Sequence, residues 1–249
     1  MRGVKREGRY LWVNIPDFTV RLYDGDNLTF ESVTVVGEDV PEHRTPEFSD
    51  VMDHMVVNPS WNVPRSITVR EYLPKMQANA GAAGHLEVID SRGRVVPRDQ
   101  INFAAYTEKS FPYRLRQPPA ERNALGVVKF MFPNSWNIYL HDTPSKSLFS
   151  KTVRTFSHGC VRVGEPFKLA DALLAPQTDD PRGLFRANLR GGLERSIPLK
   201  PAVPIHLVYF TAWPEHDGRI VWRRDVYGRD RRIAAALDKA GVVFAPGGD

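Results

Sequence analysis

The single cysteine of the 249-residue chain, Cys160, stands in the run Ser157-His158-Gly159-Cys160, and His141 lies nineteen positions before it. A thiol becomes an effective nucleophile when a base takes or holds its proton, and an imidazole does this near neutral pH. Two histidines compete for that task. His158 is two residues from the sulfur, where side chains on an extended or sharply turned backbone often cannot aim at each other. His141 arrives from a separate segment, and the fifteen residues between, Asp142 to Phe156, carry Pro144 and several Ser, Thr and Lys and read as a loop able to fold back. His141 is therefore the expected base. Gly159 removes a side chain just before the nucleophile, so the backbone N–H groups of His158, Gly159 and Cys160 can point at a developing oxyanion. The second ring nitrogen of His141 needs a partner, for which a backbone carbonyl near Asp142 or the Asp142 carboxylate would serve. Arg162 reads either as a surface charge or as a guanidinium holding the catalytic loop or a substrate carboxylate. The chemistry that such a set would support is acyl transfer with the cysteine as nucleophile.

Blander readings compete with this one. A free cysteine is among the most buried residue types and is more often an inert small hydrophobe. A histidine at a strand end is more often structural than catalytic. Zinc held by His141, His158 and Cys160 is disfavoured, because ligands two positions apart suit a tetrahedral site poorly and no second Cys/His pair has ligand spacing. With one cysteine there is no intrachain disulfide and no Cys-x-x-Cys redox pair. The composition, 42% hydrophobic and 25% charged, is that of a globular chain, and its net charge of +5 suits an acidic partner. The chain has no zinc-finger spacing, no dense Lys/Arg block and no basic stripe interleaved with aromatics, which argues against nucleic acid. The charged run Met1 to Arg9 is not followed by an apolar export segment, and no stretch approaches the ~20 apolar residues that span a bilayer.

The elements that must position these groups follow from periodicity. Leu11, Val13 and Ile15, then Phe18, Val20 and Leu22, alternate with polar residues as strands do; Asp24-Gly25-Asp26-Asn27 turns, and Leu28 to Val36 returns as a hairpin partner. Residues 38–64 are rich in Pro, Asp and His and read mostly as loop, proline at that density excluding a regular central strand. Residues 65–119 combine a short helix from Ser66 to about Met76, a break at Gly81 to Gly84 and a short Leu86–Ile89 strand, and read as a small mixed insertion closed by Gln117-Pro118-Pro119. Gly126 to Phe132 reads as a buried strand and Trp136 to His141 as a second one delivering His141 to a strand end. After Cys160, Pro166 opens a helix through Leu174 and Asp180-Pro181 opens another. A long Val203–Trp213 strand, a return at Ile220 to Trp222 and a last helix from about Arg231 to Gly241 complete the chain.

His141, fifteen residues, and then Ser157-His158-Gly159-Cys160-Val161-Arg162 resemble the active-site signature of the L,D-transpeptidases of the YkuD type. Asn58-Pro59-Ser60-Trp61-Asn62-Val63-Pro64-Arg65-Ser66-Ile67, Lys129-Phe130-Met131-Phe132-Pro133-Asn134 and Ile138-Tyr139-Leu140-His141-Asp142-Thr143-Pro144 resemble the larger YcbB-like branch, the likeness running from about Arg9 to Asp230. The resemblance implies an α+β, mainly β, sandwich-like catalytic domain over residues 9–64 and 120–249, with the 65–119 insertion as a mixed α/β substrate-capping lid. It implies Cys160 as the group that attacks the acyl donor, His141 as general base and acid, Ser157, His158 and Gly159 as the catalytic turn and oxyanion site, and Tyr139 as a pocket wall. It implies no metal and no cofactor.

Members of the family act on peptidoglycan stem peptides. They cleave between the third residue, usually meso-diaminopimelate, and D-Ala at position four of a tetrapeptide donor, and an amine of a second stem resolves the thioester as a 3→3 crosslink. Covalent inhibition by carbapenems is implied as well. Water as the acceptor would make the same acyl-enzyme an L,D-carboxypeptidase or a crosslink-cleaving hydrolase; a non-catalytic cell-wall binding module is the alternative of another class. Many members carry Asn where this chain has Arg162. The branch also carries N-terminal anchoring regions, so the chain is expected to be a piece of a longer periplasmic protein, meeting the membrane only through that region.

Overall fold

A computed structural model of the chain describes residues 8–215 and 217–242. The charged N-terminal run, apart from its last two residues, lies outside them. β1 (Arg9–Asn14), β2 (Thr19–Asp24) and β3 (Asn27–Gly37) form a meander, with Leu11 paired to Leu22 and Leu22 to Phe30. The period-two pattern read in this stretch is the one that buries Leu11, Val13, Val20 and Leu22 on one face.

The next strand departs from expectation. β4 (Phe48–Val57) is a ten-residue central strand where the sequence read as loop. Pro41, Pro46, Pro59 and Pro64 all fall outside it, so the strand occupies a proline-free window and every amide it needs for the ladder is present. β5 (Trp61–Asn62), β6 (Glu87–Ile89) and β7 (Arg114–Gln117) make a separate three-stranded sheet in the order β5-β7-β6. The helical run beside them is α-helical over Arg65–Ile67, widens to a π turn over Thr68–Tyr72 and returns to α over Leu73–Ala78. Leu73, Met76, Val88, Phe103, Phe111 and Leu115 give this small body its own apolar core, distinct from that of the main sheet. Its sheet starts at Trp61, a few residues before the boundary expected for the insertion.

β8 (Val128–Met131), β9 (Leu140–His141), β10 (Thr155–Ser157), β11 (Val161–Val163) and β12 (Arg195–Val208) return to the main sheet. Its order is β10-β3-β11-β9-β8-β4-β12-β1-β2, and because β2 also pairs with β3 the sheet closes on itself. The chain is thus mainly β with few helices. Helix Pro166–Leu174 seals the core with Leu169, Ala170, Leu173 and Leu174. Each such fully buried leucine contributes about 1.5–3 kcal/mol of transfer free energy. Asp180 caps helix Pro181–Leu189 by accepting from the Gly183 amide at 2.8 Å. β13 (Ala212–Pro214) and β14 (Ile220–Trp222) form a hairpin before the last helix, Arg229–Lys239. Among the described residues no helix is long and apolar enough to cross a membrane.

The strand expected from Trp136 to His141 contracts to the two residues of β9. The Asn134 amide donates to the carbonyls of Phe132 and Ile138, and its oxygen accepts from the amides of Trp136 and Ile138, so one side chain folds the approach to β9 into a loop.

Candidate active site

β9 lies between β8 and β11, antiparallel to the first and parallel to the second. Lys129 pairs with His141, and His141 with Arg162. Directly paired residues project from the same face of a sheet. Lys129, His141 and Arg162 therefore form one row across three strands. The next row holds Tyr139, whose carbonyl accepts from the Val161 amide at 3.1 Å, and Cys160. Leu140 and Val161, alternating with these, point into the core and are fully buried. The five polar groups line one cavity of about 790 Å³, walled on its far side by Trp61, Glu71 and Tyr72 of the small body.

The turn that carries the cysteine is tied on three sides. Ser157 Oγ donates to the Cys160 carbonyl at 2.5 Å and accepts from the Gly159 amide at 3.1 Å. Gly159 has φ +114°, and a Cβ there would lie 3.0 Å from Ile138 Cδ1, so the position requires glycine. Buried Thr45 donates to the Gly159 carbonyl at 2.7 Å, accepts from the Gly37 amide, and donates its own amide to Tyr227 Oη. One expectation is thereby corrected. The Gly159 N–H is committed to Ser157 Oγ, so of the three amides expected to face an oxyanion only those of His158 and Cys160 remain.

His141 Nδ1 donates to the backbone carbonyl of Asp142, leaving Nε2 as the basic nitrogen. Of the two partners the sequence allowed, the ring takes the carbonyl. The Asp142 carboxylate is turned elsewhere: it accepts from the Val127 amide at 3.0 Å and pairs with Lys146. Gly126, at φ +61°, leaves the room for it, since a Cβ would sit 2.2 Å from Asp142 Oδ2. Asp142 thus holds the backbone whose carbonyl orients the imidazole.

His158 is engaged away from the base–thiol pair. Its Nε2 meets Glu71 Oε1 at 2.7 Å and its ring lies 4.3 Å from that of His43, so it joins the catalytic turn to the π turn of the small body. Cys160 Sγ donates to the Asn137 carbonyl at 3.6 Å, and the neighbouring Tyr139 favours the charged form of the thiol. The Tyr139 ring lies edge-on to His141 at 5.7 Å. Among the described residues no three His, Cys, Asp or Glu side chains gather as a metal cluster.

Burial sets the charge state. It pushes the Cys160 thiol up from 9.0 to about 11, against the hydrogen bonds from Tyr139 and the charges of Arg162 and Lys129. Burial, followed by the Arg162 charge, pulls His141 down from 6.5 to about 3. Both shifts favour the uncharged forms, a thiol and a neutral imidazole, in the resting protein. Alkylation of Cys160 by iodoacetamide is accordingly expected to keep climbing with pH through 8, 9 and 10, because the thiolate that reacts is still a minor species there. A rate that levels off below pH 9 would contradict this assignment.

Lys129 and Glu71 escaped the sequence reading. Lys129 alternates with buried Val128 and Phe130, which marks it as lying on the opposite face, but only the β8–β9 register puts that face beside His141.

Residues 8–192 match the family model of the YkuD L,D-transpeptidase catalytic domain. A Haemophilus influenzae protein named "Putative L,D-transpeptidase" is 37% identical over 230 residues, covering 91% of this chain and 45% of its own length. The chain thus spans about half the length of the curated relative it matches. Among solved structures, Mycobacterium tuberculosis L,D-transpeptidase 1 in complex with imipenem aligns at 14% identity and TM-score 0.35, covering 81% of this chain and 59% of that one. The catalytic domain of an E. faecium L,D-transpeptidase aligns at 14% identity and TM-score 0.31, covering 81% and 98%.

Proposed function

This chain belongs to the YkuD family of L,D-transpeptidase catalytic domains, and from that membership we propose that it joins peptidoglycan stem peptides by 3→3 crosslinks through a thioester on Cys160. One observation carries the proposal: the sole thiol, on the turn that leads into β11, and the imidazole of the neighbouring parallel strand β9, its Nε2 free, line one cavity. Cys160 Sγ attacks the carbonyl of the third donor residue while His141 Nε2 takes the thiol proton. Because the thiolate is not preformed, proton transfer accompanies the attack. The carbonyl oxygen, now an anion, is received by the amides of His158 and Cys160. Collapse breaks the amide bond, His141 returns the proton to the departing D-Ala nitrogen, and the acyl group stays on sulfur. An acceptor amine then attacks the thioester, His141 takes its proton, and the thiol is restored.

In this scheme Ser157 and Gly159 shape the turn, Asp142 orients the base through its backbone, and Tyr139 supports the sulfur from the pocket wall. The small body over residues 61–117 acts as the lid of the cavity. The substrate lies outside the cytoplasmic membrane, which assigns the enzyme to the periplasm. Incubation with a disaccharide-tetrapeptide and mass analysis of the products tests the proposal. A crosslinked dimer is expected, whereas tripeptide alone would make the protein an L,D-carboxypeptidase.

A further inference from the structure

The row Lys129, His141, Arg162 places a cation on each side of the base, on strands paired in register. Lys129 makes no ion pair among the described residues, and its ammonium lies 6.0 Å from the Tyr139 ring centre. Arg162 Nε is buried and without a hydrogen-bond partner. The carboxylates that offset the two act from a distance and are engaged elsewhere: Glu194, felt by Lys129, accepts from the Ser60 amide, and Glu38, felt by Arg162, pairs with His43 at 3.0 Å. Asp142, the carboxylate nearest in sequence, is held by Val127 and Lys146. The other group able to offer them a negative charge is the Cys160 thiol, whose thiolate burial disfavours at rest, so two half-buried cations in one cavity are costly until a ligand or the thiolate supplies an anion. Their backbones stand two strand spacings apart, roughly 10 Å, and both side chains are long enough to converge over the shorter imidazole.

We propose that Lys129 and Arg162 form a receptor, seated over His141, for one of the two carboxylates carried by the residues that flank the donor's scissile bond, and that this makes the enzyme selective for donors bearing it. The assignment rests on the donor peptide proposed above. Such a donor brings two carboxylates near the scissile carbonyl, one on the diaminopimelate side chain and one on the terminal D-Ala. The same receptor couples binding to chemistry. The two cations disfavour the imidazolium that forms when His141 takes the thiol proton and favour the thiolate left behind, so an anion between them strengthens the base while weakening the acidity of the thiol.

The test is calorimetric binding to Cys160→Ala protein of the disaccharide-tetrapeptide and of two versions, each amidated at one carboxylate. A carboxylate seated on the receptor is expected to make its amide bind about tenfold to a hundredfold more weakly, and the weakened version names which carboxylate is read. In the Cys160→Ala, Lys129→Met protein that difference should shrink to about twofold, and Lys129→Arg should restore part of it. Equal binding of all three peptides to Cys160→Ala protein, no binding of the acid form, or an undiminished difference in a folded Lys129→Met variant would overturn the receptor. Turnover by protein retaining Cys160 is read separately. Carboxylate-selective binding without thioester formation would overturn the proposed reaction and leave the receptor standing.

Discussion

Cys160→Ala is expected to abolish the covalent mass gain that the unaltered protein shows on incubation with a carbapenem. A β-lactam is a strained acyl donor, and its ring opens onto a nucleophile held where a peptide carbonyl would sit. Cys160 is the only cysteine in the chain, it lines the cavity, and its sulfur is held by the Asn137 carbonyl at 3.6 Å. Removing the sulfur removes the group that can form the bond. The shape of the turn should survive, because the Ser157 and Thr45 contacts that hold it go to backbone atoms of Gly159 and Cys160. Whole-protein mass spectrometry reads the result directly. An adduct of the same mass on the alanine variant would place the nucleophile elsewhere.

His141→Ala is expected to slow acylation by about 10²–10⁴-fold, the range that a positioned general base contributes. The effect should fall toward the upper end, because a thiol raised to about 11 has almost no thiolate to fall back on at neutral pH. Since His141 is held near 3, it stays unprotonated from neutral pH down to about 4 in the donor-free protein. The free enzyme should therefore show no loss of acylation between pH 7 and 5 of the kind an ordinary histidine base produces. His158→Ala should act differently, through its contact with Glu71 and hence the seating of the small body on the catalytic turn. Stopped-flow acylation with the same carbapenem separates the two histidines. Equal rates for His141→Ala and the unaltered protein would remove His141 as base.

Much of this geometry was legible in the residues. Alternation exposed β1 and β2, an apolar-rich run exposed β3 and β8, and helical spacing exposed the helix after Pro166, because each of these patterns follows from the faces that the element buries. β4 was hidden by its surroundings: proline density averaged over residues 38–64 masks the ten-residue window that contains none. The approach to β9 was misjudged for a local reason, since a strand-like sequence yields when Asn134 captures four backbone groups that the ladder would have used. His141 and Cys160 were singled out by type and spacing; the fold sets His141 in β9 and Cys160 on the turn just before β11, and both line one cavity. The acceptor for His141 needed coordinates, because the carbonyl and carboxylate of Asp142 belong to one residue and no pattern separates them. The Gly159 amide was lost to Ser157 Oγ, a competitor two residues away whose reach depends on how the turn closes. Lys129 and Arg162 were visible as charges, but their common row with His141 is a property of register between segments far apart in sequence.

Tyr227 lies well past residue 192, where the family match stops, yet its hydroxyl donates to the Gly37 carbonyl and accepts from the Thr45 amide, and Thr45 in turn holds the Gly159 carbonyl. Its own amide donates to Tyr209 Oη, whose hydroxyl donates to Asp225 at 2.6 Å. The catalytic turn is therefore buttressed from the far end of the chain. A shortened protein designed to stop at the recognised domain boundary would keep nucleophile and base in its sequence and lose the scaffolding that gives the nucleophile its aim.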